Sequence, residues 1–175
     1  RNSGELRVDL TDDGSVAELF SRTGPVDAVI STAGKLHFGP LKDMTPEQFN
    51  LGLQDKLLGQ VRLALVAQHH LRAGGSTTLT SGILSDEPVP SGSNASAVNA
   101  ATNGFVRGAA IELGQGRRIH AVSPTVLTES AAAYGRFFPG FTSAPGADGA
   151  HLPGLVTRGG HPAAQRSQAG ESRRS

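Results

Sequence analysis

The chain has 175 residues, of which 37% are hydrophobic and 18% charged, and its formal net charge is +1. This length suits one domain of ordinary size, and the near-neutral balance gives no electrostatic reason to expect a nucleic-acid or membrane partner. The sequence contains no cysteine, which excludes disulfides and thiolate metal sites. No apolar run approaches the roughly 18 residues of a membrane span. We therefore expect a cytoplasmic protein without a metal site.

Short strands and helices alternate along the first part of the chain. Residues 6–10 alternate in polarity and predict a strand. A helix is expected over about residues 15–21, capped by Thr11 or Asp12. Residues 27–31 form an apolar run that is typical of a parallel strand buried on both faces.

The middle of the chain predicts two long helices and two further strands. Pro46 follows the capping residue Thr45 and begins a helix that is expected to reach about residue 71. Its apolar positions recur every four residues: Phe49, Leu53, Leu57, Val61 and Leu65. Residues 76–80 and 119–122 are β-prone and bounded by Gly or Pro, and residues 93–113 predict the second long helix.

The order of these elements predicts a Rossmann-like, doubly wound α/β fold, in which a parallel sheet has helices on both faces. Ligands in such sheets bind beyond the carboxyl ends of the strands. The segments to inspect are therefore those that follow the strands: Asp9 and residues 31–34, 80–85 and 124–128. Residues 145–175 lack periodicity and end in a polar, Arg-rich stretch. We therefore expect a partial Rossmann domain over 1–144 and an irregular, disordered tail over 145–175.

Five motifs share their order with one known family. They are Val8-Asp9-Leu10-Thr11-Asp12, Ser31-Thr32-Ala33-Gly34, Lys56-Leu57-Leu58-Gly59, the helix at 93–107, and Ile119-His120-Ala121-Val122-Ser123-Pro124. Together they resemble the short-chain dehydrogenases/reductases over about residues 1–141, and they fit an atypical subgroup best. Because that family's glycine-rich first βαβ unit would precede Arg1, and its last strand is not recognised, we interpret the chain as truncated.

The resemblance implies a bound NADP, or NAD, with the roles of its contact residues carried over from the family. Asp9 and Leu10 would lie at the adenine, and Ala33 and Gly34 close to the adenine ribose. The segment containing Pro124 and Val126 would meet the nicotinamide through backbone atoms, and Thr128 would reach the carboxamide or pyrophosphate. Arg1 would favour the 2′-phosphate of NADP through charge-assisted hydrogen bonds.

The family's active-site helix carries a Tyr, three arbitrary residues and a Lys. Alignment on Ala100-Ala101 and Gly104-Phe105 places that Tyr at Ala95 and that Lys at Asn99, so the usual proton donor is replaced. Asn99 can still hydrogen-bond a ribose hydroxyl. Carbonyl reduction nevertheless needs a donor for the developing alkoxide.

Three residues are the catalytic candidates, namely Ser81, Lys56 and Asn99. The position of the family's catalytic serine falls on Gly82 without gaps, one place from Ser81, which could equally be a plain turn serine. Lys56 could replace the missing charge, or it could be an exposed helix lysine. Tyr134 is interpreted as a lid or packing residue.

The implied function is NADP-linked interconversion of a carbonyl and an alcohol, at a degenerate site with weak or no cofactor binding. The expected partner is a small-molecule carbonyl or alcohol substrate. A homodimer or homotetramer is implied through the helices at 46–71 and 93–113. Two alternatives stay open, a non-catalytic dinucleotide-sensing regulatory protein and a non-functional fragment.

Overall fold

The computed structural model of the chain describes residues 6–141 and 156–158. In chain order the elements are α1 (Asp13–Thr23), β1 (Val26–Ile30), α2 (Pro46–Gly52), a π-helical turn (Leu53–Leu58), α3 (Gly59–Ala67), β2 (Leu71–Thr80), α4 (Ser93–Glu112), β3 (Arg118–Val122), α5 (Ala131–Tyr134) and β4 (Val156–Arg158). Short 3₁₀ turns lie at Leu41–Asp43, Ile83–Ser85, Thr128–Ser130 and Gly135–Phe137.

The strands form one sheet in the order β1-β2-β3-β4. The pairs β1–β2 and β2–β3 are parallel, whereas β3–β4 is antiparallel. The alternating, parallel Rossmann-like architecture is therefore confirmed. Strand β4 lies within the segment expected to be irregular, and three residues that pair through their main chain leave little side-chain pattern to read.

The strand predicted over residues 6–10 is wrong, because these residues have no strand geometry. In the sheet of the described residues β1 is an edge strand, and residues 6–10 do not pair with it. Hydrogen bonds to nearby residues satisfy the polar backbone groups of this segment instead. The Asp9 amide donates to Ser15 Oγ at 2.9 Å, and the Asp9 carbonyl accepts from the Asp12 amide at 3.2 Å.

Local capping chemistry fixes the starts of the helices. Asp12 Oδ1 accepts the Gly14 amide at 2.8 Å, so Asp12 is the cap of α1. Thr45 and Gln48 form a reciprocal capping box at the start of α2, with Pro46 at the first helical position. The predicted end of the long helix near residue 71 is wrong, because α3 ends at Ala67 and Leu71 already begins β2.

Two apolar clusters join the helices to one face of the sheet. Val16 and Phe20 of α1 pack with Leu63 and Ala67 of α3, and Val29 of β1 lies against them. A second cluster joins Ala64, Leu79, Val106, Ile119 and Ala121. Val29, Thr77 and Ile119 are aligned across the strands, so α1, α3 and α4 cover the same face. The opposite face carries Ile30, which is 71% exposed.

The helical rod from α2 to α3 buries a different side from its apolar stripe. Its buried residues are Gly52, Lys56, Gly59, Gln60, Leu63, Ala64 and Ala67. By contrast, Leu65 of the stripe is 50% exposed. The rod therefore turns glycines, alanines and two polar side chains towards the interior of the protein.

Candidate active site

A crevice of about 190 Å³ opens at the carboxyl edge of the parallel strands. Its walls come from the loops after β1, β2 and β3, from the π-helical turn, and from α4 and α5. Because these elements meet where ligands bind in open α/β sheets, this crevice is the candidate active site.

Lys56 brings an ammonium group into this crevice. It is only 7% exposed. Its Nζ donates to the carbonyl oxygen of Ser81 and to Asn99 Oδ1, both at 2.8 Å. Burial lowers the pKa of Lys56 to about 8, because a charged amine is poorly solvated there. The interpretation of Lys56 as an exposed helix lysine is therefore wrong.

Asn99 and Ala95 both line the crevice, one helical turn apart on α4. Asn99 is buried and its amide oxygen holds Lys56. Ala95 is fully buried and presents a methyl group. A Cβ added to Gly82 would lie 2.7 Å from Asn99 Nδ2, so the Asn99 amide fills the space in which a side chain at position 82 would stand.

The Ser81 hydroxyl is directed at the main chain of α4. Ser81 Oγ donates to the Asn99 carbonyl at 3.0 Å, and the Ser81 amide donates to the Val122 carbonyl at 2.8 Å. Ser81 lines the crevice, but the single proton of its hydroxyl is already committed. In this arrangement its oxygen can accept a bond from a ligand and cannot also donate one.

Gly34 forms the part of the crevice wall that covers Lys56. Its φ of 138° belongs to the region that favours glycine. A Cβ built there would approach Lys56 Cγ to 2.6 Å. The backbone after β1 therefore lies directly on the aliphatic stem of Lys56, which only a glycine permits.

Gln60 closes the end of β2 with its side-chain amide. Its Oε1 accepts the Thr80 amide at 2.7 Å and its Nε2 donates to the Thr80 carbonyl at 2.9 Å. The buried Asn94 plays a similar part at the loop after β1, because its Oδ1 accepts the His37 amide and its Nδ2 donates to the Phe49 carbonyl. Both amides fix the loops that shape the crevice.

Aromatic side chains form a second wall. Phe38, Tyr134 and Phe138 line the crevice. The Phe38 ring stacks on Phe137 with centroids 4.7 Å apart, and it lies 6.0 Å from Tyr134. Arg136 sits over the Phe137 ring at 4.7 Å. This wall offers flat apolar surface in the crevice that Lys56 also lines.

Some of the residues predicted from the sequence to bind the cofactor line this crevice, and others do not. Gly34, Pro124 and Val126 line the crevice. Leu10, Ala33 and Thr128 stand outside its lining, and Arg1 lies outside the described residues.

Asp9 also stands outside the crevice lining, and its carboxylate is bonded locally. Its Oδ1 accepts the Thr11 hydroxyl at 2.7 Å and the Thr11 amide at 2.8 Å, and these bonds lower the pKa of Asp9.

Sequence reasoning missed Gln60, Asn94 and Phe38. A spacing of four residues between Lys56 and Gln60 places both on one helix face, which is the signal that could have found Gln60. Phe38 carries no local signal, because the aromatic wall joins residues far apart in the chain.

Within residues 6–141 and 156–158 no cluster of His, Asp and Glu could hold a metal ion. None of the helices described is long and apolar enough to cross a membrane.

Comparison with known families decides the class of protein. A family model described as enoyl-(acyl carrier protein) reductase matches residues 2–148. The chain belongs to the short-chain dehydrogenase/reductase family. This member is 35% identical over 128 residues to versicolorin reductase 1 of Aspergillus parasiticus, covering 70% of the chain and 49% of that protein. The chain therefore spans about half the length of such curated relatives.

Solved structures agree with this assignment. Protein lin1944 of Listeria innocua has a TM-score of 0.79 at 40% identity, over 83% of this chain and 72% of its own. A small-chain dehydrogenase in complex with NADPH has a TM-score of 0.68 at 33% identity, over 72% of this chain and 58% of its own. This short-chain dehydrogenase/reductase thus shares its fold with proteins that bind the reduced cofactor.

Proposed function

We propose that this protein catalyses the NADP-linked interconversion of a carbonyl and an alcohol. The observation that carries this proposal is the buried ammonium of Lys56 in a crevice at the carboxyl edge of the sheet. Such a group can stabilise the negative charge that develops on a carbonyl oxygen during reduction. Asn99 holds this ammonium in place, and the aromatic wall borders the same crevice.

The residues present fit the nicotinamide half of the cofactor. The segment from Pro124 to Val126 lines the crevice, and its main-chain groups would meet the nicotinamide. When bound, the nicotinamide supplies or accepts the hydride. NADP as the form used is supported by the NADPH complex of the related small-chain dehydrogenase. No glycine-rich strand-to-helix turn that would hold the pyrophosphate occurs in the described part of the chain.

At the distal end of the cofactor, Asp9 and Leu10 would hold the adenine, with Ala33 near its ribose. Thr128 would contact the carboxamide or pyrophosphate, and Arg1 the 2′-phosphate. These five assignments follow from the family frame.

The substrate we propose is a carbonyl on a flat, apolar skeleton. Phe38, Tyr134 and Phe138 would stack on or enclose such a skeleton, because aromatic walls bind planar apolar surfaces well. Reduction is the favoured direction, in keeping with the versicolorin reductase relative.

The proposal is tested by measuring turnover with the full-length protein. The loss of NADPH absorbance is followed with a panel of aliphatic, cyclic and aryl ketones. We expect the aryl and cyclic ketones to be reduced faster than short aliphatic ones, and Asn99→Leu to lower kcat/KM. A folded protein that binds NADPH but reduces no member of the panel refutes the proposal.

That negative result would favour a second function, a non-catalytic dinucleotide-sensing protein. The observation in its support is that Ala95 has no proton to give and that the Ser81 hydroxyl is committed to Asn99. Saturable NADPH binding measured by calorimetry without turnover would identify it. A chain that neither binds nor turns over would be a non-functional fragment.

We also propose that two copies pair through the outer faces of α3 and α4. A hollow between these helices is bordered by Leu65, Phe105 and Leu113, and Ile111 of α4 is 66% exposed. Leu65→Glu should shift sedimentation from dimer or tetramer to monomer, because a buried unpaired carboxylate is strongly disfavoured. The matched control is Leu41→Glu, since Leu41 is 74% exposed elsewhere on the surface. Unchanged sedimentation of Leu65→Glu would contradict this pairing.

A further inference from the structure

We propose that Lys56 is the catalytic residue that gives the proton to the substrate oxygen during reduction and takes it back during oxidation. This inference rests on the proposed oxidoreductase function and assigns its proton-transfer step to one residue. Four observations carry it: the local helix geometry, the hydrogen bonds of Nζ, the surroundings of the amine, and the poorer suitability of the other polar side chains that line the crevice.

The π-helical turn aims Lys56 into the crevice. The turn spans Leu53–Leu58, between two α-helical segments. Turns of this kind are rare and occur frequently at functional sites, because the extra residue changes which side chains face inwards. Lys56 is the buried residue of this turn, and Gly52 and Gly59, which flank the turn, are buried as well. A lysine whose only role is to keep the surface soluble would be exposed, and burial at this position does not suit that role.

The hydrogen bonds of Nζ hold the ammonium while leaving one proton for a ligand. An ammonium has three N–H donors. Two are directed at neutral acceptors, the Ser81 carbonyl and Asn99 Oδ1. Within the described part of the chain these are the two acceptors that Nζ contacts. The third N–H therefore remains for a substrate oxygen in the crevice that Lys56 lines.

The surroundings of the amine make its proton transferable. No carboxylate bonds to Nζ among the described residues, so no ion pair holds the proton on nitrogen. Burial lowers the pKa of Lys56 to about 8. An acid of this strength is charged at neutral pH and yet releases its proton readily, which is the condition for efficient general acid catalysis.

The titratable groups on the surrounding elements do not alter this picture. They include Asp55 on the turn itself, Lys35 and His37 on the loop after β1, Asp86 and Glu87 after β2, and Tyr134 on α5. The Asp55 carboxylate accepts the backbone N–H of Lys35 at 2.6 Å. The face of α4 that lines the crevice contributes the uncharged Ala95 and Asn99.

The proton balance of the reduction is simple. With the reduced cofactor bound, its nicotinamide would supply a hydride to the carbonyl carbon, and the π pair of the carbonyl would move onto oxygen. Lys56 then donates a proton from Nζ to that oxygen, which gives the alcohol and a neutral amine. Solvent returns a proton to the amine before the next turnover. In oxidation the neutral amine accepts the proton of the alcohol.

Other groups in the crevice are less suited to this step. The Ser81 hydroxyl already donates to the Asn99 carbonyl, and the carboxamide of Asn99 is not an acid in water. Tyr134 is 43% exposed and belongs to the aromatic wall. Tyr134→Phe therefore serves as the direct comparison for Lys56.

The experiment compares the variants Lys56→Met and Lys56→Arg with the unchanged full-length protein. Lys42→Met is the matched control, because Lys42 is an exposed lysine paired with Asp43. We expect Lys56→Met to lower kcat for reduction roughly 100-fold to 10,000-fold, with KM for the ketone changed far less. The unchanged protein should lose kcat for reduction above about pH 8, as the ammonium is lost. The kcat of Lys56→Arg should not fall above pH 8, because a guanidinium stays charged.

A second readout does not depend on activity. The chain has three lysines within the described residues, at positions 35, 42 and 56. Carbon-13 NMR of protein labelled at lysine Cε should therefore resolve one amine that titrates near pH 8, and Lys56→Met should remove it.

Three results would overturn the inference while leaving the oxidoreductase function standing. They are a folded Lys56→Met that keeps kcat, a Lys56 amine that titrates at the ordinary value, and a Tyr134→Phe variant that loses as much kcat as Lys56→Met. If the unchanged protein turns over no carbonyl, the proposed function fails, and the proton role of Lys56 fails with it.

Discussion

Burial of the Lys56 ammonium should make the stability of this protein rise with pH between about 8 and 10.5. The pKa of Lys56 is lowered from 10.5 to about 8 by desolvation. In that window the unfolded chain holds a proton on this lysine and the folded protein does not. Stability rises with pH wherever the unfolded state binds more protons. At about 1.4 kcal/mol for each tenfold change, the full gain is about 3 kcal/mol.

The assay measures the free energy of unfolding in urea by far-ultraviolet circular dichroism at pH 7, 8, 9 and 10.5. Lys56→Met is measured in parallel as the reference, because it shares every other titrating group. The difference in stability between the two proteins should shift by about 3 kcal/mol in favour of the lysine as pH rises. Most of this shift should fall between pH 8 and 10.5. A constant difference would mean that the amine has an ordinary pKa in the folded protein, and the physical basis for its proton transfer would then be lost.

Two further predictions concern the groups that hold this site together. Gly34→Ala should lower stability by about 1 to 3 kcal/mol in thermal unfolding, because a Cβ there meets the stem of Lys56. Gly104→Ala on α4, where a Cβ meets nothing within 4 Å, should instead stabilise by about 0.5 to 1 kcal/mol, and equal effects of the two changes would contradict the reasoning. Gln60→Leu should lower the free energy of unfolding by about 2 to 5 kcal/mol, because it leaves the amide and carbonyl of Thr80 without partners, and a loss below about 0.5 kcal/mol would show that other groups replace them.

Much of the fold could be predicted from local chemistry. Asp12 and Thr45 act as helix caps because their side chains satisfy amide groups within the next few residues, which the sequence displays directly. The parallel sheet follows from the alternation of elements. By contrast, the strand at residues 6–10 fails because a strand needs a neighbour, and pairing is not a local property.

The helical rod shows why the burial of the site could not be predicted. Its apolar residues recur at intervals of four, whereas an α-helix turns once in about 3.6 residues. The buried residues Gly52, Lys56, Gln60 and Ala64 recur at the same interval, one position ahead of the stripe residues, along the whole rod. Periodicity therefore identifies a helix here without showing which of its sides packs against the rest of the protein. Burial of a lysine also contradicts the usual preference of that residue for solvent.

The candidate site, too, could be predicted from the sequence only in part. The family resemblance of α4 implies that Ala95 and Asn99 belong near a binding crevice, and both line it. The bond between Lys56 and Asn99 joins two helices that are 43 positions apart. The aromatic wall likewise depends on Phe38 meeting residues about a hundred positions later. Contacts of this range arise from the whole fold and leave no pattern in a short window.

The position of Tyr134 has a practical consequence. The chain contains one tyrosine and no tryptophan, so its ultraviolet emission comes from a single ring at the wall of the crevice. Quenching or a change in anisotropy on titration with a ligand would therefore report occupancy of that one place. The protein carries its own optical probe, without any label.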